Sequence, residues 1–101
     1  MNIILYHNHY DADHLAAVQS EMEALGAPTV QAIWLEAYGA WMALEGCHRL
    51  RAAQALGLTP EIIAVEWDGD RPVADYVADV RDEISIEQVT DDAHRREMLT
   101  F

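Results

Sequence analysis

Four consecutive residues, Gly46, Cys47, His48 and Arg49, bring together a permissive backbone position, a thiol, an imidazole and a guanidinium. The residues around them predict a strand-to-helix turn. Met42 and Leu44 alternate with smaller or more polar neighbours and stop at Gly46. Leu50, Ala53 and Leu56 then recur at helical spacing until Gly57. In the first turn of a helix the backbone N–H groups lack partners and the dipole is positive, so the natural ligand is an anion. Gly46 lets a bulky anion approach the backbone. Arg49 offers a fork of donors and His48 a further one. The same field favours a thiolate at Cys47. Cys47 therefore reads as a nucleophile or as a small, half-buried helix-start residue. Arg49 reads as an anion ligand or as the partner of a nearby acid. Glu45 adjoins the turn and reads as a magnesium ligand, a general base or an edge-strand carboxylate.

The elements that must position this turn can be read along the chain. Asn2 to Tyr6 is a short apolar strand. Asp11 and Asp13 are suited to start a helix that runs to about Leu25, with Leu15, Val18, Met22 and Leu25 on one face. Gly26 and Pro28 end it. Val30 to Leu35 is a strand with apolar residues on both faces, so it is expected to be covered on both sides. The four residues from Glu36 to Gly39 make a hairpin connection to an antiparallel return over Ala40 to Leu44. The helix Cys47 to Leu56 follows, and then the strand Ile62 to Val65. Pro72 opens another helix, with Val73, Tyr76, Val77 and Val80 on one face. Ile84, Ile86 and Val89 read as a short strand or a buried turn, and Thr90-Asp91-Asp92 as a helix start with Arg95 and Arg96 late in that helix. Helices and strands in this order predict one α/β (α+β) domain over 1–101. It has a mixed sheet of about four strands, a core of about 2–76 and a helical tail of about 77–101.

Composition narrows the partners. The chain has 101 residues and a formal net charge of −12. All six basic residues are arginines, and lysine is absent. Such a chain is repelled by bare nucleic acid and anionic membranes, so direct binding to either is not expected. A nucleotide is still compatible, because local donors and a magnesium ion outweigh a distant field. The lone cysteine, the lack of a membrane-length apolar run and the lack of a signal sequence predict a cytoplasmic protein.

A second group comprises His7, His9 and His14 with Asp11 and Asp13. His7 and His9 would share a strand face, as metal ligands sometimes do. No recognisable zinc spacing completes the set, so it reads first as a polar strand end and helix cap, and no metal is assigned to it. Trp34, Trp41 and Trp67 read as core or sheet-face residues. Arg51 reads as solvated or salt-bridged, and Asp75, Asp79, Asp82 and Glu83 as a solvated helix face.

Gly46-Cys47-His48-Arg49, between an apolar strand and an Ala-rich helix, resembles the Gly-Cys-His-Arg signature of sulfiredoxins. The wider pattern resembles the ParB/sulfiredoxin superfamily over Ile3 to about Tyr76: strand, Gly-x-x-Arg, helix, a late glycine, then Pro60 before a strand. That superfamily includes nucleotide-binding domains of chromosome-partitioning proteins and a small kinase acting on free serine. The resemblance implies a ParB/sulfiredoxin-like fold with ATP and Mg2+ held at the turn. Gly46, Cys47, His48 and Arg49 would hold phosphate, and His14 and His7 would line the nucleotide pocket. It further implies ATP-dependent reduction of a cysteine sulfinic acid on a peroxiredoxin-like partner, with Cys47 as nucleophile. His14 stands where sulfiredoxins carry a lysine, His7 near another of their basic residues, and Glu45 where they have a second glycine. The alternatives are a non-enzymatic ParB-like interaction or regulatory module, which would use the acidic surface for a protein partner, and a small-molecule kinase.

Overall fold

The computed structural model describes residues 1–66 and 86–101. Its strands are β1 (Asn2–Ile4), β2 (Thr29–Leu35), β3 (Ala40–Ala43), β4 (Glu61–Ala64) and β5 (Met98–Thr100). The helices are α1 (Ala12–Leu25), α2 (Cys47–Leu56) and the short α3 (Ile86–Asp91). The strands form one mixed sheet in the order β4-β2-β3-β1-β5. β1 runs parallel to β3 and β4 parallel to β2, while β2 pairs antiparallel with β3 and β1 with β5. The molecule is thus a small α+β domain.

Each boundary has a local cause. Asp11 has an extended backbone, and its carboxylate accepts the His14 N–H at 2.8 Å, which caps the start of α1. At the end of α2, Gly57 adopts φ 71°. Its N–H donates to Gln54 O and that of Leu58 to Ala53 O, the paired bonds of a Schellman ending. The hairpin between β2 and β3 turns through a single 3-10 turn, Glu36–Tyr38, and the left-handed Gly39 at φ 58°.

β2 is covered on both faces, as its sequence predicted: Val30, Ala32 and Ile33 are fully buried and Leu35 nearly so. One face packs Ile3, Leu5, Val30, Ala43 and Leu99 with Cys47 and Leu50 of α2. The other gathers Ile4, Ile33, Leu35, Ala40, Met42 and Leu44 with Ala93. Trp34 is the exception among the apolar residues of β2. It is half exposed and sits edge-on to its cross-strand partner Trp41, with ring centroids 5.2 Å apart. Trp67, the helix expected after Pro72 and the acidic face of that helix lie outside the described residues.

Three expectations need correction. The sheet has five strands among the described residues, not about four. The end of the expected helical tail is extended: Met98–Thr100 pairs with Asn2–Ile4 and places Leu99 in the core at 5% exposure. Three residues with one buried side chain carry too little periodicity to be read as a strand. Thr90 and Asp91 also close α3 rather than open a helix. A 3-10 turn over Ala93–Arg95 follows, with Arg95 at its basic end.

Candidate functional site

α2 begins where the alternating strand stops, because Gly46 takes a left-handed backbone, φ 74° and ψ 31°. A side chain there would be strained by that φ. Its Cβ would also lie 3.0 Å from Cγ1 of Val30 and 3.1 Å from Nη2 of Arg49. Arg49 therefore folds back over Gly46 through space that only glycine leaves open. Nη1 of Arg49 donates to Thr29 O at 3.1 Å, and Nη2 lies 3.5 Å from the Glu45 carboxylate. The Arg49 side chain keeps 40% of its surface exposed, so the pair leaves the guanidinium accessible. No side chain caps the start of α2.

This turn forms one wall of an open cavity of about 630 Å3. Glu45, Gly46, Cys47, His48 and Arg49 line it, together with His7 and with His14, whose ring lies against that of His48. The seven residues singled out from the sequence thus come together in space. The apolar wall was not foreseen as such. Val18, Met22 and Leu25 of α1, with Pro28 after it, supply that wall, and Tyr6 and Leu44 also contribute. Of the α1 stripe Leu15, Val18, Met22 and Leu25, only Met22 is buried, while Leu25 is 83% exposed. An apolar stripe that outruns its packing partner is the signal that could have found this wall.

The polar groups are held in definite states. The backbone N–H of Asp11 donates to Nε2 of His48 at 3.0 Å. That nitrogen must therefore carry a lone pair, and the proton of the neutral ring resides on Nδ1. The His48 ring is stacked on His14 with centroids 4.4 Å apart and planes 16° from parallel. Burial lowers the pKa of His48 below its ordinary 6.5, and the like charges of His14 and His7 add to this. Asp11 is also held below its usual range, chiefly by the His14 N–H. Nδ1 of His7 is buried without a hydrogen-bond partner. Cys47 is 5% exposed and packs among Ile3, Leu5 and Leu50 while lining the cavity.

No family model, curated protein or solved structure matches this chain.

The remaining assignments follow from geometry. β1 ends at Ile4, so His7 and His9 lie beyond the strand and do not share a strand face; their ring centroids are 6.3 Å apart. Among the described residues no group of three His, Cys, Asp or Glu is placed to hold a metal ion. No helix among them is long and apolar enough to cross a membrane. Arg51 is salt-bridged. It meets Glu97 at 2.6 Å, donates to Asn8 O at 3.1 Å and lies over the Tyr10 ring at 4.5 Å. It thereby ties the loop between β1 and α1, which carries His7 and Asp11, to α2 and the approach to β5.

Proposed function

We propose that the cavity between α1 and the start of α2 binds a nucleoside phosphate. The observation that carries this reading is an open space lined on one side by apolar residues of α1 and on the other by the start of α2 with Arg49. Its volume suits a small-molecule site, and such sites pair apolar linings with a few fixed polar groups. A base would lie against Val18, Met22, Leu25 and Pro28. Phosphate oxygens would take the free N–H groups at the start of α2, with Arg49 and His14 as side-chain donors. Nδ1 of His7 is a further polar atom without a partner on that wall.

ATP with magnesium is the form that the ParB/sulfiredoxin resemblance suggests. Arg49 is the one permanently cationic side chain among the described lining residues, and Glu45 and Glu21 oppose it. A triphosphate therefore suits this site only with a divalent cation, and Glu45 is the carboxylate beside the turn that would share it. Bound there, the cation would supply charge neutralisation; the chain's own residues bind and orient the phosphates.

The sharper form of the proposal is sulfiredoxin-type, ATP-dependent reduction of a cysteine sulfinic acid on a peroxiredoxin-like partner: the phosphorylated sulfinyl sulfur would lose phosphate to an attacking thiolate, and external thiols would supply the electrons that reduce the resulting thiosulfinate. Cys47, at the start of α2 and on the cavity lining, would be the nucleophile. The alternatives are a ParB-like module that binds nucleotide or a protein partner without catalysis, and a small-molecule kinase. The burial of Cys47 favours the non-catalytic form. A thermal-melt series with ATP, ADP and CTP, with and without magnesium, tests the shared core of these readings. At ten times Kd a ligand stabilises the native state by about 1.4 kcal/mol, which raises Tm by several degrees in a domain of this size. No shift with any nucleotide at millimolar concentration overturns it.

A further inference from the structure

The cavity rim carries a hydrogen bond whose donor cannot change and whose acceptor can. The Asp11 N–H is a backbone amide and always donates. Nε2 of His48 accepts from it only while unprotonated, at 3.0 Å. Asp11 lies at the end of the loop that leaves β1, and His48 lies in the first turn of α2, 37 positions along the chain. Both flank the cavity: His48 lines it directly, and Asp11 caps the helix whose first turn presents His14 to it.

We propose that His48 is a proton-operated latch: its neutral imidazole ties Asp11, at the end of the β1–α1 loop, to the start of α2, and a proton on Nε2 breaks that tie at the cavity rim while Arg51 still holds the loop at Asn8 and Tyr10. Protonated, Nε2 becomes a donor facing a donor, and the contact cannot persist. The stacked His14 ring, 4.4 Å away, adds to the effect, because two parallel imidazoliums at that distance repel each other. The other groups that face His48 are His7 and His9 from the loop after β1, which resist its protonation, and the Asp11 carboxylate, which favours it. Its own helix contributes Arg49, already shared with Glu45. Release frees Nε2–H to donate to an anion in the cavity, so the same ring would exchange Asp11 for ligand. That last consequence rests on the nucleoside-phosphate reading; the latch itself does not.

The test is an amide NMR titration of the full chain from pH 8 to pH 5, with the Asp11 resonance as reporter. A hydrogen-bonded amide proton moves upfield when its acceptor is lost. The Asp11 amide proton is expected to do so with a midpoint below 6.5 and in step with the His48 ring. In His48→Gln the side-chain carbonyl can accept the same N–H and does not titrate, so Asp11 should stay flat over this range. In His14→Gln the Asp11 movement should persist. An Asp11 amide that is flat in the wild type, or that moves equally in His48→Gln, overturns the latch. Repeating the titration with millimolar inorganic phosphate separates the two ideas. A raised midpoint supports exchange of Asp11 for an anion. An unchanged midpoint, with the latch still titrating, removes the anion reading and leaves the latch standing.

Discussion

The guanidinium of Arg49 lies across Gly46, with Nη2 3.1 Å from where a Cβ on that glycine would be. The turn that offers its amides and the side chain that would grip the ligand are thus fitted to each other. Gly46→Ala would impose a side chain on a φ of 74° and press it against Val30 at 3.0 Å. The expected cost is about 1–3 kcal/mol, read as a lower denaturant midpoint with an unchanged m-value. Ligand binding should weaken with it. A Gly46→Ala protein of wild-type stability would show that the close approach is not needed.

Arg49→Ala should behave in the opposite way. Its partners are a partly buried carboxylate 3.5 Å away and one backbone carbonyl, and the guanidinium itself stays 40% exposed, so stability should change by no more than about 1 kcal/mol. Nucleotide binding, followed by calorimetry, should fall about tenfold or more, because a charge-assisted donor to phosphate is lost. Unchanged binding would remove Arg49 from the site.

Acid should loosen the fold in two stages. The folded-state pKa of His48 lies below 6.5, so as pH falls below 6.5 the unfolded chain takes up the proton first. Stability then declines through that window, and above it His48 contributes no slope. Asp11 and Glu97 are held low, by the His14 N–H and by Arg51 respectively, so their contribution is present above about pH 4.5 and lost as pH falls further. Urea melts between pH 8 and pH 3 should show both slopes. His48→Gln should flatten only the upper one.

Leu99 tests the strand that the sequence did not reveal. It is 5% exposed and pairs across β1 with Ile3. Leu99→Ala should cost about 2–4 kcal/mol. A cost near zero would mean that the chain end is not part of the core.

The parts of the fold set by local rules could be read from the residues. Asp11 announced its helix cap, Gly57 its helix end, and the change of apolar period at Gly46 placed α2 at Cys47–Leu56. The β2–β3 hairpin followed from its short connection. What could not be read depends on contacts between distant segments. The β1–β5 pairing joins the two ends of the chain through three-residue strands. The Asp11–His48 hydrogen bond and the His14–His48 stack join α1 to α2 with no spacing rule to mark them. The apolar wall could not be told from core for a related reason: a helix stripe looks the same whether it meets core or cavity. At the site, the residue types pointed to the corner of the molecule where the cavity lies, but the pairing of Arg49 with Glu45 and the burial of Cys47 are properties of the folded state.

Cys47 divides the chemistry from the binding. Cys47→Ser should abolish sulfinic-acid reduction if the chain performs it, and leave nucleotide affinity within about twofold. A variant that retains reduction would exclude Cys47 as the nucleophile.

The most direct measurement is an amide NMR titration of the full chain with ATP and magnesium at neutral pH. The largest shifts are predicted at the backbone N–H groups of Cys47, His48 and Arg49, with smaller ones at Val18, Met22 and Leu25. Saturation with none of these resonances moved, or with shifts confined to surfaces away from the start of α2, would contradict the assignment of this cavity as a nucleoside-phosphate site.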